Sequence, residues 1–136
     1  MAGTGFERDI VTLTMPCDQA YVAIARIVVG GLAARLDLPY QSLDDLQLAV
    51  EAVLSECASY GDGEVAVEIT VLEGQIDVRI GPVDVEAITL ALQRDEGDAI
   101  NLGVLLSAVV DSVDLEERAD GAWLCLDKHA PAVHKG

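Results

Sequence analysis

From Glu64 to Leu72 the chain alternates without a break. Val65, Val67, Ile69 and Val71 fall on one side, and Glu64, Ala66, Glu68 and Thr70 on the other. A period of two marks a strand with one buried face. Glu73-Gly74 supplies a tight turn, and Gln75–Ile80 returns with Ile76, Val78 and Ile80 on its apolar side. This hairpin fixes the centre of a sheet, and its apolar face requires a covering layer.

The flanking segments supply that layer. Residues 1–8 read as a flexible leader. Asp9–Met15 alternates as a strand that Pro16 ends. Asp18 is placed to cap a helix over roughly 19–36, with Val22, Ala25, Val29, Leu32 and Leu36 at helical spacing. Gly30-Gly31 inside it costs about 1 kcal/mol per residue relative to Ala; close approach of another element would explain the pair. Ser42 and Asp45 form a capping-box pattern before a second helical face of Leu43, Leu46, Val50, Val53, Leu54 and Cys57. After the Gly61-Asp62-Gly63 turn and the hairpin come a short helix near 84–93 and an apolar helix over Ala99–Asp111. A second hairpin, Val113–Arg118 and Ala122–Asp127, precedes a tail at 128–136. The expected fold is α/β: a two-layer α/β sandwich whose mostly antiparallel, mixed sheet is covered on one face by helices, in one domain over 9–127.

Charge narrows the partners. The 136 residues carry a net charge of −16 with eight dispersed Lys and Arg, which argues against nucleic-acid phosphate and an anionic membrane surface. A basic protein patch is the complementary partner. Cys17, Cys57 and Cys125 are isolated, as reduced thiols of a cytoplasmic protein would be, and Cys57 and Cys125 fall in apolar patterns that suit inert, buried thiols. The N-terminal residues lack the apolar stretch of a signal peptide, and the apolar runs read as too short and interrupted to span a bilayer. His129 and His134 stand in the tail, where solvation is the expectation and no metal is implied. No Walker A motif, dinucleotide fingerprint or Ser-His-Asp constellation occurs.

Three segments lie in a telling order: Ser42–Tyr60 with its Leu48-Ala49-Val50 run, the hairpin ending Val78-Arg79-Ile80-Gly81-Pro82, and Asn101-Leu102-Gly103-Val104-Leu105-Leu106. Over roughly residues 9–127 this order resembles the anti-sigma-factor serine kinases, a branch of the histidine-kinase-like ATPases (the GHKL or Bergerat fold). The resemblance implies a Glu base and a Mg²⁺-binding Asn on one helix face. Here those positions hold Ala52 and Glu56; a register shifted by one gives Glu51 and Ser55. Glu56 could still hold Mg²⁺ as an oxygen ligand. The adenine-reading Asp-x-Gly-x-Gly becomes Arg79-Ile80-Gly81-Pro82-Val83, and an Arg has donors but no acceptor for the adenine amine. Arg79 would instead fill the pocket and pair with Asp77 or a helix carboxylate, or serve as an ordinary strand-end residue. The lid over Val83–Asp98 carries Asp84, Glu86, Asp95, Glu96 and Asp98 against Arg94 alone, a poor match to a triphosphate. The Gly-rich turn before the third helix is reduced to Asn101-Leu102-Gly103, where Asn tolerates a left-handed backbone.

The implied function is an anti-sigma-factor-like regulator that binds a sigma factor or a STAS anti-anti-sigma partner, forms a homodimer, and has lost its nucleotide cofactor. The expected contact surface is Asp9–Leu36, with Tyr21 and Tyr40 as candidate anchors. Two alternatives stand beside it. One is an active kinase using ATP with Mg²⁺, with Glu51 as base and Glu56 on the metal. The other is an unrelated acidic protein-binding module.

Overall fold

The computed structural model of the protein describes residues 9–36, 38–60, 63–93 and 101–129. Its five strands are β1 (Asp9–Pro16), β2 (Glu64–Leu72), β3 (Gln75–Val83), β4 (Ser112–Arg118) and β5 (Gly121–His129). They form one sheet in the order β1-β2-β3-β5-β4. All four pairings are antiparallel, where the sequence reading allowed a mixed sheet. Helices α1 (Val22–Ala33), α2 (Tyr40–Tyr60), α3 (Val85–Gln93) and α4 (Leu102–Val109) complete the two-layer α/β fold.

The central hairpin closes as its alternation requires. Leu72 pairs with Gln75, and Gly74 takes φ 75°, which the two-residue turn needs and a Cβ would disfavour. Val65, Val67, Ile69, Ile76, Val78 and Ile80 are buried under the helices. Leu46, Val50 and Val53 of α2, Val29 of α1 and Leu106 of α4 meet them in one core.

Short 3-10 turns at Gln19–Tyr21 and Ala34–Leu36 flank α1, and the Asp18 carboxylate accepts from Ala20 N at 2.9 Å. The two glycines of α1 have different surroundings. At Gly30 a Cβ would run into the Gln47 amide, which donates to Arg26 O at 3.0 Å. Gly31 faces open space, so close approach explains only the first. The stretch Gln19–Leu36 is long and apolar enough, by length and composition, to cross a membrane, contrary to the reading of its runs as too short. A continuous helical path through residues separated by Gly30-Gly31 is what makes up the length.

Three local expectations change. Because α2 begins at Tyr40, Ser42 lies inside its first turn and forms no capping box. Pro39 stands before that first turn and its carbonyl accepts from Leu43 N at 3.0 Å. Asp45 instead accepts from Gln41 Nε2 at 2.9 Å and pairs with Lys128 at 3.5 Å. The tail boundary also moves, since β5 runs through His129. Lys128 Nζ donates to Val109 O at 2.8 Å and His129 N to an Asp111 carboxylate oxygen at 2.7 Å, which ties both residues to the domain. Cys57 is in the core, but Cys125 is half-buried on the helix-free face of the sheet. His134 and the leader lie outside the described residues.

Candidate functional site

Helix α2 carries the first pair of site residues, and its 3.6-residue period separates them. Glu51 and Glu56 are about 140° apart around the axis. Glu51 stands on the α1 side, 4.0 Å from the Arg26 guanidinium, as does Ser55, whose Oγ accepts from Gln19 Nε2 at 3.2 Å. Ala52 and Glu56 follow Asp45 on the opposite flank, and Asp45 reaches Lys128 beside the end of α4. Ala52 packs against the core. The two glutamates therefore cannot converge on one phosphate from a single helix face.

Arg79 belongs to the other side of the sheet. Since Ile76, Val78 and Ile80 point under the helices, Arg79 points away from them. It pairs across strands with Glu68 and Cys125. Its closest carboxylate is Glu116 of β4, at 3.9 Å, and its Nε is buried without a hydrogen-bond partner among the described residues. The Cys125 sulfur beside it, ahead of Glu116 and Asp77, holds the guanidinium above its usual range. Burial pushes the Cys125 thiol up, with only partial opposition from Arg79, so the thiol stays protonated. Arg79 thus cannot fill a pocket between sheet and helices, nor reach a carboxylate on α2. The inward residue next to Arg79 is Ile80, fully buried. The period of two was enough to place it, and the motif register had obscured it.

Gly81 and Gly103 are retained for packing. A Cβ on Gly81 would stand 2.6 Å from the Trp123 ring and 2.8 Å from Ala122 O. Trp123 is buried on the helix-free face, roofed by the Arg118 guanidinium at 4.0 Å, with its Nε1 donating to Asp120 at 2.9 Å. Gly103 lets α4 come against the Leu92 carbonyl of α3. Asn101 is not left-handed: at φ −77°, ψ 168° it is the extended N-cap of α4, and its side chain accepts from Val104 N at 2.8 Å. Asp84 likewise caps α3, accepting from Glu86 N and Ala87 N at 2.9 and 3.0 Å. Arg94, Asp95, Glu96 and Asp98 of the lid lie outside the described residues.

The candidate anchors are exposed, Tyr40 at 82% and Tyr21 at 39%. Sequence reading missed three further exposed apolar side chains. Ile24 and Ile27 of α1 are 47% and 71% exposed, outside the buried Val22, Ala25, Val29 stripe, and Ile10 is exposed on β1. The signal was present, since α1 is apolar around most of its circumference. Strand β1 is a sheet edge with no charge after Asp9; such edges are open to pairing.

No family model matches the chain. It is 30% identical over 77 residues to the serine-protein kinase RsbW of Listeria monocytogenes serotype 4a, covering 53% of this chain and 49% of that protein. The RsbW of Bacillus pumilus is 29% identical over 77 residues, covering 52% and 48%. That of Bacillus velezensis is 31% identical over 75 residues, covering 52% and 47%. The chain spans about half the length of these curated relatives. Over about half of its length the chain is thus similar to the serine-protein kinases of RsbW type.

Proposed function

We propose that the chain is a protein-docking regulator on a kinase frame, with no phosphoryl transfer of its own. The observation that carries this reading is the buried Ile80, the inward residue beside Arg79, which has no acceptor for an adenine amine. Ala52 at the expected base position cannot move a proton. Glu56 offers a single oxygen ligand, and Glu51 is turned to Arg26 on the opposite flank. Asn101 and Gly103 serve the helix cap and the α3–α4 contact. These residues do not fit MgATP, and the active-kinase reading loses its paired glutamates.

The docking surface of this reading is the exposed side of α1, Tyr21, Ile24 and Ile27, with the open backbone edge of β1. A sigma factor or a STAS protein is the proposed partner, in the cytoplasm, and a second copy of the chain is proposed to pair on the same side. Titration calorimetry with ATP, with and without Mg²⁺, tests the central claim. A flat trace at millimolar nucleotide is expected. Micromolar binding, or phosphorylation of a STAS protein by the purified chain, overturns it.

A further inference from the structure

A second surface lies at the opposite side of the sheet order, away from α1 and β1. The end of β3, the start of α3 and the β4–β5 turn enclose a cleft of about 580 Å³. An apolar groove of about 280 Å³ along α3 joins it through Val85 and Glu86 and extends over Thr89, Leu90 and Gln93. Leu90 is 61% exposed and Val85 44%, so the outward ridge of α3 has no partner among the described residues.

Charge selects the occupant. Among the described residues the cleft is lined by Asp84, Glu86, Glu117 and Asp120, with Arg118 as the one cation. Arg118 is already committed: Nη1 and Nη2 donate to Glu68 at 3.1 and 3.2 Å, Nε donates to Glu116 at 2.8 Å, and the plane covers Trp123. Asp84 and Asp120 also have partners, α3's first amides and the Trp123 indole. The Glu86 and Glu117 carboxylates hold no ion pair among the described residues. An apolar groove that opens onto unpaired carboxylates suits a chain with apolar side chains on one stripe and Lys or Arg beside it.

We infer that the α3 groove and its acidic cleft dock a basic amphipathic helix of a partner protein. Apolar side chains of the partner lie on Val85 and Leu90, and its cations reach Glu86 and Glu117. The site is independent of the α1 surface and of any nucleotide.

The test uses the full chain and a helical Leu/Lys peptide about 18 residues long with a period of 3.6, followed by backbone-amide NMR. Shifts confined to residues 84–93 and 117–122 are expected. The pair Glu86→Lys with Glu117→Lys should weaken binding about tenfold or more, and Leu90→Ser, at an exposed position that the fold tolerates, about tenfold. Glu73→Lys, in the exposed β2–β3 turn, should bind as the unaltered chain does. Shifts centred on α1, shifts spread evenly over the acidic surface, an unchanged affinity in Leu90→Ser, or equal binding of a Leu/Glu peptide would each overturn the inference.

Discussion

The Arg118 guanidinium lies 4.0 Å over the centre of the Trp123 ring while its edges donate to Glu68 and Glu116. This one side chain closes the helix-free face of the sheet over its only tryptophan, and Glu68 foremost, then Glu116, hold it well above the usual arginine range. Arg118→Ala should cost about 2 kcal/mol, from the lost cation–π contact and hydrogen bonds to charged partners. Arg118→Lys should recover less than half, because an ammonium cannot fork onto Glu68 while lying flat on the ring. Urea unfolding monitored by Trp123 fluorescence checks both.

Glycine substitutions separate packing from propensity. Gly31→Ala meets open space and should stabilise α1 by about 0.5–1 kcal/mol. Gly81→Ala meets the Trp123 ring and the Ala122 carbonyl, and should destabilise by about 1–3 kcal/mol through overpacking. Thermal unfolding of the two variants should therefore move in opposite directions.

Asp77 and Asp127 face each other across β3 and β5 and share a hydrogen bond. Burial first, then Asp127, pushes Asp77 above the usual 3.8, although Gln75 donates to it at 2.6 Å. The hydrogen bond from Asp77, helped by Ser112 Oγ at 2.7 Å, holds Asp127 below that value. Asp77 is a carboxyl whose folded pKa is raised, so it favours the fold while protonated. That contribution is full below 3.8 and is lost as pH rises through the raised value. Asp127 works in the other direction and loses its contribution as pH falls through its depressed value. Asp77→Asn should thus gain stability over the unaltered chain at neutral pH, with the gain shrinking toward acid. A constant difference across a pH series of urea midpoints would contradict this assignment.

Much of the frame was legible because the two periods are clean. The alternation of Val65, Val67, Ile69 and Val71 and the Glu73-Gly74 turn were enough for the hairpin, whereas Asp18 caps the 3-10 turn that leads into α1 and not α1 itself. The same alternation places Arg79 on the helix-free face; a motif register laid over it sent the side chain to the wrong side. Asn101 followed by an apolar run is an N-cap signal, which the Gly-rich-turn register hides. The Arg118–Trp123–Glu68 cluster was not legible, since Arg118 and Glu68 are 50 residues apart and meet only through strand order.

The exposed stripe of α1 should be dispensable for folding and required for association. Ile27 is 71% exposed, so Ile27→Asp forfeits little burial and should change stability by no more than about 0.5 kcal/mol. A carboxylate there, beside an uncharged β1 edge, should hold apart any two copies that meet on this face. Light scattering should then give a smaller solution mass for Ile27→Asp than for the unaltered chain at equal concentration. An unchanged mass, with the unaltered chain dimeric, would move the self-contact away from α1.

Ile80 offers the sharpest test of the proposal that the chain binds no nucleotide. If one side chain alone kept nucleotide out, Ile80→Asp would supply the missing acceptor and restore ATP binding. The surroundings predict otherwise. Ile80 is fully buried between Val67 of β2 and Leu124 of β5, so a carboxylate there has no solvent, and Lys128 on the same face stands across from Ile76 and is already paired with Asp45. Ionised, it bears the cost of an unpaired buried charge; neutral, it still leaves polar atoms unsatisfied and a cavity where the isoleucine methyls packed. Ile80→Asp should lose about 3 kcal/mol or more and gain no ATP affinity, with the loss easing at acid pH as the carboxyl protonates. Calorimetry with ATP and urea unfolding across pH together read the result, and a stable, nucleotide-binding Ile80→Asp chain would mean that the rest of the site had been kept.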